Sequence, residues 1–325
     1  MTSTHAKPTK VLAVADRGDT QIAVESAAAL AREHDAKLEV IACVEPPQDL
    51  AIIARLAGEP PDSLVAEAVA QTRAEVRARL DSIVPKLDIA FEVLVGKSYL
   101  EIIGYVASRQ CDFVVKKAEP LVGMDRFLFA STDQHLLRKC PCPVWLQTEG
   151  AATRPKRILA AVDLDLDDAA EPETLQALNR RVVDVACKVA GQRPAEIIVL
   201  HAWDAIGDGM IWAFSGNRDA RMSADHYVNA LLDSRRKEMH RLLDAAGKAH
   251  GPDLALRPHL VRGNPETVIS QQSHEIEADL VVMGTVARTG LSGVFIGNTA
   301  ENIINSLECP VLAVKPEGFV SPLLR

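Results

Sequence analysis

Three apolar segments of this chain occur twice, and the repeat limits the fold more than any single motif does. "KVLAVAD" (Lys10 to Asp16) returns as "RILAAVD" (Arg157 to Asp163), "CDFVVKK" (Cys111 to Lys117) as "ADLVVMG" (Ala278 to Gly284), and "CPVWLQ" (Cys142 to Gln147) as "CPVLAV" (Cys309 to Val314). Gly96 and Gly263, Thr132 and Thr299, and Cys142 and Cys309 are each 167 positions apart, so the last third of each half aligns without a gap. The first strands are 147 apart, so the second half carries 20 extra residues before its third strand. A chain of 325 residues has length for two units, each able to bury its own core. The expected domains are 1–150 and 151–325, joined by the small-residue stretch "TEGAATRPK" (Thr148 to Lys156).

Both halves show the same order of elements. An apolar strand ends in Asp (Asp16, Asp163), and a helix with apolar residues at helical spacing follows. A second strand comes next ("KLEVIACV"; "AEIIVLHAW"), then a loop and a long charged helix, then a third strand ending in glycine ("FEVLVG"; "RPHLVRG"). A helix, a fourth strand ("DFVVK"; "DLVVM"), another helix and a fifth strand ("PVWLQ"; "PVLAV") close the unit. Strands that are apolar throughout and alternate with helices imply a parallel sheet covered on both faces. Right-handed crossovers then make each half a doubly wound α/β domain with five parallel strands. Ligands of such sheets sit beyond the carboxyl ends of the strands, where the strand order reverses.

The formal net charge of −8 makes the chain a poor candidate for binding nucleic acid or an anionic membrane. No stretch approaches the roughly 20 apolar residues that span a bilayer. The start, "MTSTHAKPTK", has no apolar core and does not read as a secretory signal. The six cysteines, at 43, 111, 140, 142, 187 and 309, are scattered, and several lie in apolar runs. They read as reduced thiols of a cytoplasmic protein, with no disulfide. Cys140-Pro141-Cys142 has one intervening residue and no second Cys/His pair nearby, and reads as a turn leading into a strand rather than a metal or redox site.

These residues together resemble the universal stress protein family, as two tandem domains. The block "MGTVARTG…IGNTAEN" is most similar to the E-type tandem members, and the likeness runs from about Lys10 to Gln147 and from Lys156 to Lys315. The resemblance implies a Rossmann-like five-stranded fold in each half and pairing of the halves, as a pseudo-two-fold dimer within one chain, through their last strands, Val144 to Gln147 and Val311 to Val314. Nucleotide-binding members carry Gly-x2-Gly-x9-Gly-Ser/Thr after the fourth strand.

Carried over residue by residue, the resemblance places Gly284 at the first glycine of that motif, Ala287 at the second, Gly297 at the third and Asn298 at the Ser/Thr position. Glycine lets backbone approach a phosphate, and a helix starting after Gly297 would offer free N–H groups and its positive end to an anion. Thr299 could add a hydroxyl, while Asn298 could cap the helix and donate an amide hydrogen bond. The resemblance further puts Asp163 on the ribose, Ala161 beneath the base, the Ala202 backbone against adenine, and Met283 in the pocket wall. Each has a plain structural alternative: a strand-end Asp commonly caps a loop, and His201 commonly satisfies a sheet.

In the first half the aligned positions read Lys117, Pro120, Ala130 and Ser131, which removes backbone room and one N–H donor. That half reads as a degenerate structural unit. Lys116 and Lys117 could attract an anion, or stand solvated or in salt bridges. The run "DLDLDD" (Asp163 to Asp168) lacks the glycine turn and distal Glu of an EF-hand, so no independent metal site is expected, and Mg2+ would arrive only with a nucleotide. The loop from Asp204 to Tyr227, with Met210, Trp212 and Phe214, could cover the pocket or pack on the neighbouring domain. There is no Walker-type Gly-Lys-Ser/Thr, nucleophile elbow or catalytic triad, so no catalytic residue is assigned. The expectation is a cytoplasmic stress-response protein that senses or carries a small molecule, ATP or AMP, in its second half. Two alternatives stand beside it: an interaction scaffold with a vestigial pocket or an apolar ligand, and a slow ATPase. A protein partner and a further homodimer are left open.

Overall fold

The computed structural model describes residues 7–15, 21–85, 89–119, 131–166, 169–205, 218–251, 254–285 and 297–324. The elements of the first half are β1 (Lys10–Val14), α1 (Gln21–His34), β2 (Lys37–Val44), α2 (Leu50–Ala57), α3 (Pro61–Ile83), β3 (Ala90–Val95), α4 (Ser98–Arg109), β4 (Phe113–Lys117), α5 (Ser131–Lys139) and β5 (Val144–Gln147). Those of the second are β6 (Arg157–Ala161), α6 (Pro172–Ala190), β7 (Glu196–Trp203), α7 (Arg218–His250), β8 (Ala255–Arg262), α8 (Pro265–Glu275), β9 (Leu280–Gly284), α9 (Asn298–Ser306) and β10 (Val311–Val314), followed by a 3-10 turn at Pro322–Leu324.

All ten strands lie in one sheet, in the order β3-β2-β1-β4-β5-β10-β9-β6-β7-β8. Within each half the pairings are parallel, and β5 meets β10 antiparallel. The register of that join displays the symmetry of the repeat. Leu312 faces Trp145, its own counterpart 167 residues earlier, and Val311↔Leu146 is matched by Ala313↔Val144. Each half thus covers the other's open strand edge.

Both sheet faces are covered, which is why the strands are apolar at successive positions. Val11 and Ala13 of β1 face a core shared with α1, α3, α6 and α7, whereas Leu12 and Val14 face a second core with α4, α5, α8 and α9. Beyond the strand join, Glu33 of α1 accepts from the Gln192 N–H (2.8 Å) and Arg193 Nε (3.2 Å), and His34 Nε2 lies 2.7 Å from the Lys188 carbonyl. On the opposite face Arg138 of α5 bonds Glu301 of α9.

Two local expectations are corrected. The connection after β2 contains the helix α2, whose outward face leaves Ile52, Ile53 and Leu56 exposed; eight residues are too few for periodicity to separate them from a loop. The long helix α7 begins at Arg218, so the stretch expected as a loop to Tyr227 is helical over its last part. Met210, Trp212 and Phe214 lie outside the described residues.

Candidate functional site

The crevice predicted by the winding rule falls between β6 and β9. Ala161 and Met283 form the last rung of that parallel pair, both turned toward the core that α9 covers. The chain leaves β6 for α6 on one face and β9 for α9 on the other, so the strand ends open between diverging connections. Ala161, Met283 and Gly284 are therefore brought to neighbouring positions. Ala287 lies outside the described residues, as does the Asn298 side chain.

Helix α9 starts after Gly297 as expected, but half-buried Gly297 is itself the N-cap and Asn298 the first helical residue rather than the cap; among the described residues no side chain caps it. Among the described residues the first N–H groups of the helix have no acceptor. Thr299 is exposed on that first turn. Gly297 has φ −61° and ψ 137°, a conformation open to any residue, so its smallness rather than its backbone freedom would matter to a ligand.

Gly284 has a packing reason to be glycine, whatever its place beside a phosphate. A Cβ there would come within 2.7 Å of Leu178 Cδ2 on α6, so helix packing occupies the space of the missing side chain. Asp163 also has a local role: its Oδ1 accepts from the Asp165 N–H (3.2 Å), while its backbone exchanges two hydrogen bonds with the Asn179 side chain (2.9 and 2.6 Å).

The β6–β7 ladder ends in a way that bears on Ala202. Leu200 accepts from the Val162 N–H, so Leu200 directs its peptide groups toward β6, and alternation directs those of Ala202 the same way. Where the ladder would continue along the β6 chain stands His201, whose Nδ1 is 3.2 Å from the Val162 carbonyl oxygen and 3.3 Å from the Leu164 nitrogen, so it donates to the first in one tautomer or accepts from the second in the other. Among the described residues no partner stands against the peptide groups of Ala202, which alternation turns toward β6.

Sequence reasoning missed the charged cluster beside this strand end. Asp165 accepts from Arg235 of α7 through Nε (2.9 Å) and Nη2, and His201 Nε2 lies 3.5 Å away. All three residues are buried. Burial pushes the Asp165 carboxyl up, but His201 and Arg235 outweigh it and hold the group well below the usual carboxylate range. Seventy positions separate Asp165 from Arg235, and no motif joins them. Among the described residues no group of three or more His, Cys, Asp or Glu could hold a metal ion.

The first half has replaced its crevice with an internal ion pair. Lys116, the counterpart of Met283, is 1% exposed; its Nζ lies 3.1 Å from Oδ1 of Asp133 and 2.6 Å from Oε1 of Glu119. Asp133, fully buried on the first turn of α5, is the counterpart of Ala300 and accepts from the Glu119 N–H (2.8 Å). Burial drives its pKa up to about 6, against the pull of Lys116. Of the two alternatives for Lys116, salt bridging is the one observed. Lys117 turns toward Glu149, 3.7 Å away in the linker. Pro120 and Ala130 lie outside the described residues.

Comparison with known proteins agrees with this architecture. The model of the universal stress protein family matches the chain twice, over residues 9–146 and 155–315. Universal stress protein E of Escherichia coli K12 is 31% identical over 229 residues, covering 70% of this chain and 68% of that protein; its counterpart in Photorhabdus laumondii is 29% identical, covering 73% and 72%. Among solved structures, a protein of unknown function from Pseudomonas aeruginosa PAO1 superposes with a TM-score of 0.67 at 23% identity, covering 98% of this chain and 96% of that one. A universal stress protein from Archaeoglobus fulgidus gives 0.58 at 15% identity, covering 94% and 96%. At these identities the structures speak to the fold alone, whereas the double family match covers nearly the whole sequence: the chain belongs to the universal stress protein family, as a tandem of two domains.

Proposed function

We propose that the second half binds an adenine nucleotide, ATP or AMP, and that the chain is a ligand-sensing protein of the cytoplasmic stress response rather than a catalyst. The observation that carries this reading is the strand end at Ala202. With the His201 ring between Val162 and Leu164 and no partner for Ala202 among the described residues, the Ala202 N–H and C=O would form a donor–acceptor pair of the kind that reads the edge of an adenine ring. The start of α9 at Gly297 supplies N–H groups for phosphate, Met283 and Ala161 an apolar wall, and Asp163 a carboxylate near the ribose position. Mg2+ would enter with the nucleotide. The first half does not bind, because Asp133 and Glu119 already hold Lys116.

Calorimetric titration of the full chain with AMP and ATP tests the reading, with one site expected. Gly297→Val should abolish binding without unfolding the protein, since valine accepts that backbone conformation. Ala287→Gly combined with Asn298→Ser, restoring the family motif, should tighten it several-fold, at about 1 kcal/mol per change. Absence of binding by that restored variant sinks the proposal.

A second reading, an interaction scaffold, is favoured by one feature: an open groove of about 780 Å³ along α3, where Val65, Val69 and Val95 of the edge strand β3 are flanked by Asp62, Arg73 and Arg77. Among the described residues no helix is long and apolar enough to cross a membrane.

A further inference from the structure

The dithiol at the start of β5 departs from the plain turn expected of Cys140-Pro141-Cys142. The two sulfurs lie 3.7 Å apart. Cys140 has no exposed surface and Cys142 is 6% exposed. Cys140 directly follows α5, its N–H donating to the Leu136 carbonyl, and the next turn brings the Cys142 sulfur back onto it. Beside them is a buried lysine from the other half. Lys315, directly after β10 and 3% exposed, extends Nζ to the carbonyl of Leu137, three residues before Cys140, and to the Thr285 hydroxyl. Thr285 follows Gly284, at the head of the connection between β9 and α9.

We propose that Cys140 and Cys142 form a redox-active dithiol that closes to an intrachain disulfide on reaction with a small hydroperoxide, with Lys315 as the positioning residue that links the pair to Thr285. Two thiols in contact need only a small movement to bond, and the ring they close stays within one turn. Burial sets the class of oxidant: hydrogen peroxide is nearly as small as water, whereas a bulky disulfide cannot reach either sulfur. The step balances without a further reactant. Oxygen transfer from hydrogen peroxide to the first sulfur breaks the O–O bond, releases one water and leaves a sulfenic acid. The second sulfur displaces that oxygen as another water and forms the S–S bond. The two sulfurs together lose two electrons, the peroxide gains two, and both thiol protons leave in water.

The electrostatics favour Cys140 as the nucleophile. Burial raises its pKa, but donation from the Cys142 thiol and N–H, together with the Lys315 ammonium, brings it below the ordinary thiol value. Burial and the neighbouring Cys140, Cys111 and Asp112 push Cys142 the other way, while Arg181 of α6 is a cation coupled to it. Burial lowers Lys315 to about 7, with Cys140 drawing it back up.

The test treats the native full-length protein with hydrogen peroxide or with oxidised glutathione, then alkylates under denaturing conditions and digests with trypsin. Cleavage after Lys139 and Lys156 leaves both cysteines in one peptide, since the bond between Arg154 and Pro155 resists trypsin. Peroxide should produce that peptide two hydrogens lighter and unalkylated, and oxidised glutathione should leave Cys140 and Cys142 alkylated. Cys142→Ser should abolish the lighter peptide while native circular dichroism stays unchanged. Lys315→Gln should move the midpoint of the rate–pH profile upward. The proposal is overturned if all six cysteines remain alkylated after peroxide, or if the pair closes only as fast as the protein unfolds. An unmoved midpoint in a folded Lys315→Gln variant overturns the part given to Lys315.

Discussion

The ion pair inside the first half offers the sharpest test of how the two halves diverged. Lys116 and Asp133 are buried and 3.1 Å apart, and the second half carries Met283 and Ala300 at the same positions. At an effective dielectric near 20, unit charges at that separation attract by about 5 kcal/mol, most of which offsets the cost of removing them from water. Removing one partner is therefore worse than removing both. Lys116→Met strands a carboxylate with no exposed surface and should cost about 3–5 kcal/mol at pH 8. Asp133→Ala leaves the ammonium with half-exposed Glu119 and should cost somewhat less, about 2–3 kcal/mol. The double variant copies the second half and should lie within about 1–2 kcal/mol of the native protein, the residue being the small void left by the aspartate.

Urea unfolding of the four proteins closes the cycle. The Lys116→Met arm carries its own check in pH. Burial already raises Asp133 to about 6, above its ordinary value, so its charged form is the unfavourable one in the folded state. Stability contributed by a group raised in this way is present at low pH and lost as pH rises through the folded pKa. Without Lys116 the pKa climbs further, so the variant should regain part of its lost stability between pH 8 and pH 5. Costs that add to within about 0.5 kcal/mol, or a Lys116→Met cost that ignores pH, would refute the coupled-pair account.

Gly284→Ala should cost about 1–3 kcal/mol in urea unfolding because Leu178 must yield, and Leu178→Val should return most of it; failure of that rescue would point back to a ligand role for the glycine. Arg235→Met should destabilise by about 3–5 kcal/mol at pH 7 by stranding buried Asp165. Because Asp165 is held below its ordinary range, its contribution is present at neutral pH and lost as acid titrates it, so Asp165→Asn should flatten the acid limb of a stability–pH curve.

The order of the strands, the apolar character of both their faces and the likeness of the halves could be read along the chain, because each depends on local periodicity that a repeat displays twice, whereas the short helix α2 could not. The pairing of β5 with β10 followed from the family resemblance, and Trp145 against Leu312 shows it in register. The glycine motif was readable as residue types but not as roles: Gly284 proved to make room for Leu178 of α6, about a hundred residues earlier. Tertiary structure alone decided which charges meet. Asp165 finds Arg235 across 70 positions, Lys315 reaches Leu137 across 178, and Lys116 meets an aspartate on the next helix rather than solvent. No periodicity encodes such contacts, because crossover connections set which side chains share a buried space, and inside that space an unpaired charge is too costly to leave alone.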